Sequence, residues 1–152
     1  MSRHARITLA LVLGLLLVVP TTAVSSATPD TTAARAAPVK PGAYAGRLVS
    51  DGTAQEKVTM KVTRTRRLTG FRVNLTVYCW SLDHIELQVH PVAFPKTKLD
   101  ARGRVDRTWK PDASSTITLK GRFTRTGRAK AGVLDYRVGN CSRTASWTAK
   151  RR

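Results

Sequence analysis

The sequence predicts an all-β protein: an antiparallel β-sandwich or barrel of about eight strands with one disulfide, preceded by a signal peptide and a flexible linker. Apolar and polar residues alternate with period 2 along most of the chain after residue 41, as in strands that bury one face. Turn-forming pairs such as Arg102-Gly103, Thr126-Gly127 and Gly139-Asn140 separate these runs. No long stretch after the N-terminal apolar segment keeps the helical period of 3.6 residues.

The longest alternating run predicts a strand over residues 71–79, with apolar residues and a cysteine on its inward side. Ile85, Leu87 and Val89 form another run, and we expect them to face the core while Glu86 and His90 face outward. The pairs Asp51-Gly52 and Thr69-Gly70 are further expected turns. The remaining runs predict strands over residues 58–62, 117–123, 134–138 and 145–149, and weaker runs predict strands over 44–49 and 104–110.

The N-terminus has the three-part layout of a secretory signal peptide. Arg3 and Arg6 precede an apolar run over residues 7–20, and small residues follow up to Ala27. The apolar run of about 14 residues is shorter than the ~20 that a transmembrane helix needs. We therefore expect a signal peptide over residues 1–27, cleaved after Ala27 or Ala23, a flexible linker over 28–41 and a β-domain over 42–152. The predicted location is extracellular, with no transmembrane segment after cleavage.

The chain is strongly basic, with 27 Lys and Arg against 9 Asp and Glu and a formal net charge of +18. Cleavage would remove only Arg3 and Arg6, so the exported domain keeps most of this charge. A field of this sign concentrates polyanions. Because export argues against intracellular nucleic acid, the sequence favours anionic polymers of the cell envelope or the extracellular matrix as partners. A solubilising surface, whose Lys and Arg protect strand edges, is the simpler alternative.

The two cysteines, Cys79 and Cys141, lie beside inward-facing apolar runs. Export favours a disulfide between them, and two cysteines cannot by themselves complete a four-ligand zinc site. The bridge would close a loop of 62 positions, which the loop-entropy model values at about 4 kcal/mol of stability. We predict a structural disulfide in the core rather than a reactive redox pair.

Several short motifs resemble those of small secreted β-domain proteins of actinobacteria. Such proteins open on a G-x-Y-x-G element, carry a cysteine in mid-chain followed by an I-x-I-x-x-G-x-F strand, and end with a cysteine shortly before a W-x-A-x-R strand. The segments that resemble these motifs are Gly42–Gly46, Cys79, Ile117–Phe123, Cys141 and Trp147–Arg151; Ile117–Phe123 has Leu119 at the second Ile and one residue fewer before Gly121. The resemblance covers about residues 42–151. It implies a β-sandwich with one disulfide, and it transfers no catalytic residue.

Arg72, Tyr78 and Trp80 are the candidate ligand-binding residues. They share the outward side of the run over residues 71–79, and aromatic rings among polar groups on a β-face can stack on sugar rings or bases. The alternative is that a second sheet or the loop Pro91–Pro95 covers this face.

Catalysis and metal binding have weaker support in the sequence than polymer binding does. A small secreted hydrolase acting on a polyanion such as RNA would need Glu56, Arg72 and His90 together, but Glu56 has inward parity and the other two are expected to point outward. His84 and His90 lie about 20 Å apart on an extended strand, too far to share a metal ion. A protein-binding or inhibitor module remains the third class. We therefore predict a non-enzymatic, monomeric protein without catalytic residues, metal or cofactor.

Overall fold

The computed structural model describes residues 39–49 and 56–152. The expected signal peptide, most of the expected linker and the expected turn at Asp51-Gly52 lie outside the described residues. Short turns with Gly or Asp connect most of the strands, as the sequence pattern predicts. The nine strands are β1 Gly42–Val49, β2 Lys57–Val62, β3 Arg67–Trp80, β4 Ile85–Phe94, β5 Thr97–Lys98, β6 Arg104–Trp109, β7 Ser115–Phe123, β8 Arg128–Val138 and β9 Cys141–Arg151.

All of these strands pair in antiparallel fashion in one sheet, ordered β4-β3-β2-β1-β9-β8-β7-β6, while the short β5 pairs with β3. Strand β9 pairs with β1 over its C-terminal half and with β3 at its start. Strands β1, β2, β3 and β9 therefore close into a small barrel. The predicted all-β antiparallel class is confirmed, and the described residues contain no helix.

The predicted disulfide is also confirmed. Cys79 of β3 and Cys141 of β9 lie directly opposite each other, with their Cα atoms 3.9 Å apart and both side chains buried. The bridge joins the two strands at the point where the barrel closes.

Trp147 of β9 lies at the centre of the core and is fully buried, as its alternation with Ala145 and Ala149 predicts. Its ring packs against Gly121 of β7 and Gly132 of β8, where a Cβ atom would collide with the indole. Both strands shift register beside these glycines. The bulges therefore make room for the largest side chain of the core.

Two sequence predictions of strand boundaries were wrong. Thr69-Gly70 lies inside β3 rather than in a turn, because Gly70 adopts a positive φ of 60° beside a register shift against β2. Strand β8 begins at Arg128 rather than near residue 134, because its bulge interrupts the alternation of apolar and polar residues.

The predicted orientation of β4 was also wrong. Residues directly opposite in an antiparallel pair project from the same face. Leu87 lies opposite Tyr78 and Ile85 lies opposite Trp80, so both aliphatic side chains face outward. His90 lies opposite the buried Leu75 and therefore projects to the inner side.

In residues 39–49 and 56–152 no helix has the length and apolar character that crossing a bilayer requires.

Candidate functional site

A cavity of about 1050 Å³ is an open groove over strands β1, β8 and β9. Small residues form its floor, and exposed basic side chains from four strands surround it. The floor residues are Ala45, Gly46, Ala129 and Ala149, and the surrounding cations are Arg47, Lys57, Arg128, Lys130 and Lys150.

Gly46 explains why the floor is low. A Cβ atom at this position would collide with the backbone of Thr148 and of Ala149 on β9. Only glycine permits this close approach of β1 to β9. The longer side chains of neighbouring positions therefore rise around a depression instead of filling it.

Two smaller cavities continue the groove. A cavity of about 260 Å³ shares Arg128 and Lys150 with the first, and a cavity of about 510 Å³ shares Arg151 with the second. No Asp or Glu among the described residues lines any of the three. We call the three cavities together the basic groove. Its cations are Lys40, Arg47, Lys57, Lys61, Arg64, Arg128, Lys130, Lys150, Arg151 and Arg152.

Strand register arranges these cations in rows across the sheet. Arg128 pairs with Lys150, and Lys150 pairs with Ala45. The same row continues through Thr59 to Arg72 of β3. Neighbouring strands lie about 4.8 Å apart, and alternate residues along a strand lie about 6.7 Å apart. The row therefore places Arg128 and Lys150 on neighbouring strands and Arg72 three strands beyond Lys150.

Tyr44 holds the start of the domain beside this groove. Its ring is buried against Phe123, and its hydroxyl donates a hydrogen bond of 2.5 Å to the carbonyl of Lys40. Burial raises the pKa of this hydroxyl, and the nearby Arg151 opposes the rise. Tyr44 therefore remains a neutral donor at physiological pH and fixes the backbone that carries Lys40.

The sequence-predicted aromatic residues lie elsewhere. Tyr78 and Trp80 project from the outer face of β3 with 45% and 60% of their surface exposed, so neither a second sheet nor the Pro91–Pro95 loop covers them. Aliphatic side chains from β4 and the turn extend the same surface. We define the hairpin face as Tyr78, Trp80, Leu82, Ile85, Leu87 and Val89, all exposed.

Glu56, proposed above as a catalytic base, is held in a buried ion pair. Its Oε1 accepts hydrogen bonds from the backbone N–H of Thr76, at 2.6 Å, and from Nη1 of Arg143, at 2.8 Å. The guanidinium of Arg143 also donates to the carbonyl of Thr76. These contacts connect β2, β3 and β9 just beyond the short segment where β3 pairs with β9. The pair therefore closes part of the barrel wall with side chains.

His90 and Arg72 do not join Glu56. The half-buried imidazole of His90 lies 2.8 Å, at Nδ1, from the hydroxyl of Tyr136. Arg72 is exposed on the opposite face of β3. The structure therefore does not gather the three residues of the hydrolase hypothesis into one site.

The histidines also take separate partners. His84 at the hairpin turn lies 2.7 Å from Asp83 Oδ1 and 2.9 Å from Glu86 Oε1. Hydrogen bonds to Glu86 and then to Asp83 raise the pKa of His84, and the bond to His84 lowers the pKa of Glu86. His90 lies close to Cys79 and Cys141. Both cysteine sulfurs are committed to the disulfide.

The chain matches no protein-family profile, no curated protein and no solved structure. The resemblance to secreted actinobacterial β-domains therefore stays a prediction from the motifs.

Sequence reasoning did not locate the basic groove. Its cations come from β1, β2, β8 and β9, and from the residues around these strands, which become neighbours only through the strand order. The available signals were the small residues Gly46 and Ala149 beside Arg47 and Lys150 in strands of high charge. Without the register these positions look like ordinary solvated strand faces.

Proposed function

We propose that this protein is a secreted, non-enzymatic β-domain that binds anionic polymers of the cell envelope or matrix in the basic groove. One observation carries the proposal: three contiguous cavities are lined by ten Lys and Arg side chains and by no Asp or Glu of the described residues. Dispersed solubilising charge does not require such clustering, because solubility depends on net charge and not on a shared concave surface.

An open groove suits a polymer better than a small molecule. Small-ligand sites enclose most of their ligand in a cleft. This groove is open, and its charges are spread over several strands, so a polymer can make many weak contacts along it. Arg72, at the end of the row that contains Arg128 and Lys150, extends the same surface to β3. The sequence-predicted Arg72 therefore belongs with the groove in this proposal.

The test compares two variants of equal charge. Arg128→Ser/Lys150→Ser removes two groove cations, and Lys96→Ser/Lys98→Ser removes two exposed cations outside the groove. Binding to poly(glycerol phosphate) teichoic acid and to hyaluronate is measured at moderate salt, with neutral dextran as the control polymer. We expect the groove variant to bind at least about tenfold more weakly, because charge-assisted hydrogen bonds are lost.

The Lys96→Ser/Lys98→Ser variant should bind nearly as wild type does. Equal losses in both variants would show that only net charge matters, and the groove would then have no role. Wild-type binding to neither polyanion at low salt would refute the proposal directly.

A further inference from the structure

The hairpin formed by β3 and β4 differs in charge from the rest of the molecule. Between Arg72 and Lys96 the chain contains no Lys or Arg, and β4 is the only described strand without either residue. The same segment carries two acidic side chains, Asp83 and Glu86. Its exposed surface is instead apolar, with Trp80 60%, Leu87 63% and Val89 64% exposed.

This hairpin also ends the sheet. Within residues 39–49 and 56–152, strand β4 pairs with β3 alone, and these residues leave its other edge open along Ile85–Phe94. Proteins usually protect such an edge with Lys or other charged side chains, Pro or a short strand. The opposite edge strand, β6, follows this rule with Arg104 and Arg107, whereas β4 carries Glu86 and, near its end, Pro91. The N-terminal part of β4 is therefore a long edge with a single acidic side chain and no Lys or Arg.

We infer that β4 pairs with β4 of a second copy of this chain, forming a symmetric dimer through the hairpin face. The distribution of charge favours a second copy of the chain as the partner of this surface. An anionic polymer or anionic lipid surface would meet Asp83 and Glu86 with no Lys or Arg of the hairpin to attract it. Two copies repel each other wherever their basic surfaces meet, and the hairpin is the surface on which they approach without that repulsion.

The chemistry of the strand is self-complementary, as a twofold interface requires. An antiparallel pairing centred on Leu87 places Ile85 opposite Val89 of the second copy and Glu86 opposite Gln88. All three aliphatic side chains then lie on one face beside Tyr78 and Trp80, and no like charges stand opposite each other. The basic groove lies on other strands and stays open, so the dimer would present two grooves to a polymer. The proposed dimer differs from the monomer that the sequence predicts.

Sedimentation of the purified protein from micromolar to millimolar concentration tests the inference. Wild type should shift from one to two copies, and Leu87→Lys should raise the dissociation constant at least about tenfold, because two lysines would face each other across the axis. Val49→Lys is the matched control, since Val49 is also an exposed aliphatic residue of a strand, at 59%, but lies outside the hairpin. It should dimerise as wild type does.

A second pair of variants covers the case in which Leu87→Lys does not fold. Leu87→Cys should form an intermolecular disulfide on mild oxidation, and Val49→Cys should not. A wild-type protein that stays monomeric at millimolar concentration would overturn the inference, as would a dimer unaffected by Leu87→Lys. A monomer that binds zwitterionic phosphatidylcholine vesicles through the hairpin would also overturn it, in favour of a lipid surface.

Discussion

The basic groove and the hairpin face are both exposed parts of one sheet, but they differ in the types of residue that form them. The groove combines a floor of glycine and alanine with ten surrounding cations. The hairpin face combines six large apolar side chains, and no Lys or Arg lies between Arg72 and Lys96. A chain with a formal net charge of +18 that needed only solubility would carry Lys and Arg on both. The contrast motivates the two separate proposals, polymer binding in the groove and dimerisation through the hairpin.

The disulfide joins the hairpin to the barrel, and its removal should have the largest effect. Cys79→Ala/Cys141→Ala should lower the free energy of unfolding by about 4 kcal/mol, since the bridge closes a long loop. Denaturant titration measures this loss. Hydrogen exchange should rise more in β3 and β4 near the bridge than in β1 and β8, because local opening follows the lost tether. A uniform rise in exchange would contradict a division into two regions.

The buried pair Glu56–Arg143 supports the barrel wall next to the hairpin, with side-chain exposures of only 9% and 5%. Glu56→Gln should lower stability by about 3 kcal/mol, because it removes the negative charge that faces the buried guanidinium of Arg143. The exposed pair Lys120–Asp106, 3.7 Å apart, is the control. Asp106→Asn should cost less than about 1 kcal/mol. Similar losses in thermal unfolding would contradict a structural role specific to Glu56.

The smallest expected effect concerns the hairpin turn. Because Glu86 and Asp83 raise the pKa of the exposed His84, NMR titration should give a value above the ordinary 6.5, and Glu86→Gln should move it back toward 6.5. The raised pKa means that the folded state holds this proton more tightly than the unfolded state does. The contribution to stability is therefore fully present below pH 6.5 and disappears as pH rises through the folded pKa. A titration unchanged by Glu86→Gln would show that the turn does not form this contact.

The sequence predicted most of the fold and little of the candidate site. Alternation over residues 71–79 and 117–123 predicted β3 and β7 because one face of each is buried in the core. The same rule failed for Ile85, Leu87 and Val89, because it takes every alternating apolar run as inward-facing. Only the pairing of Leu87 with Tyr78 shows their true side. The groove was not predictable for a related reason, since Arg128 and Lys150 meet through strand register.

Glu56 shows what the alternation of apolar and polar residues can predict and what it cannot. Its parity with Val58 and Met60 predicted an inward side chain, and the structure buries it. The counter-charge comes from Arg143, 87 positions away. Nothing in the local sequence of β9 marks Arg143 as its partner, because the contact depends on how the barrel closes.

The salt dependence of polyanion binding tests the central claim that charge in the groove, and not charge in general, binds the polymer. The logarithm of the affinity for teichoic acid should fall linearly with the logarithm of salt concentration. For Arg128→Ser/Lys150→Ser the slope should be shallower by about 1.5, as expected for two lost phosphate contacts. The slope for Lys96→Ser/Lys98→Ser should match wild type. Identical slopes for the two variants, or a larger change on substituting Tyr78 and Trp80 by alanine, would contradict the account.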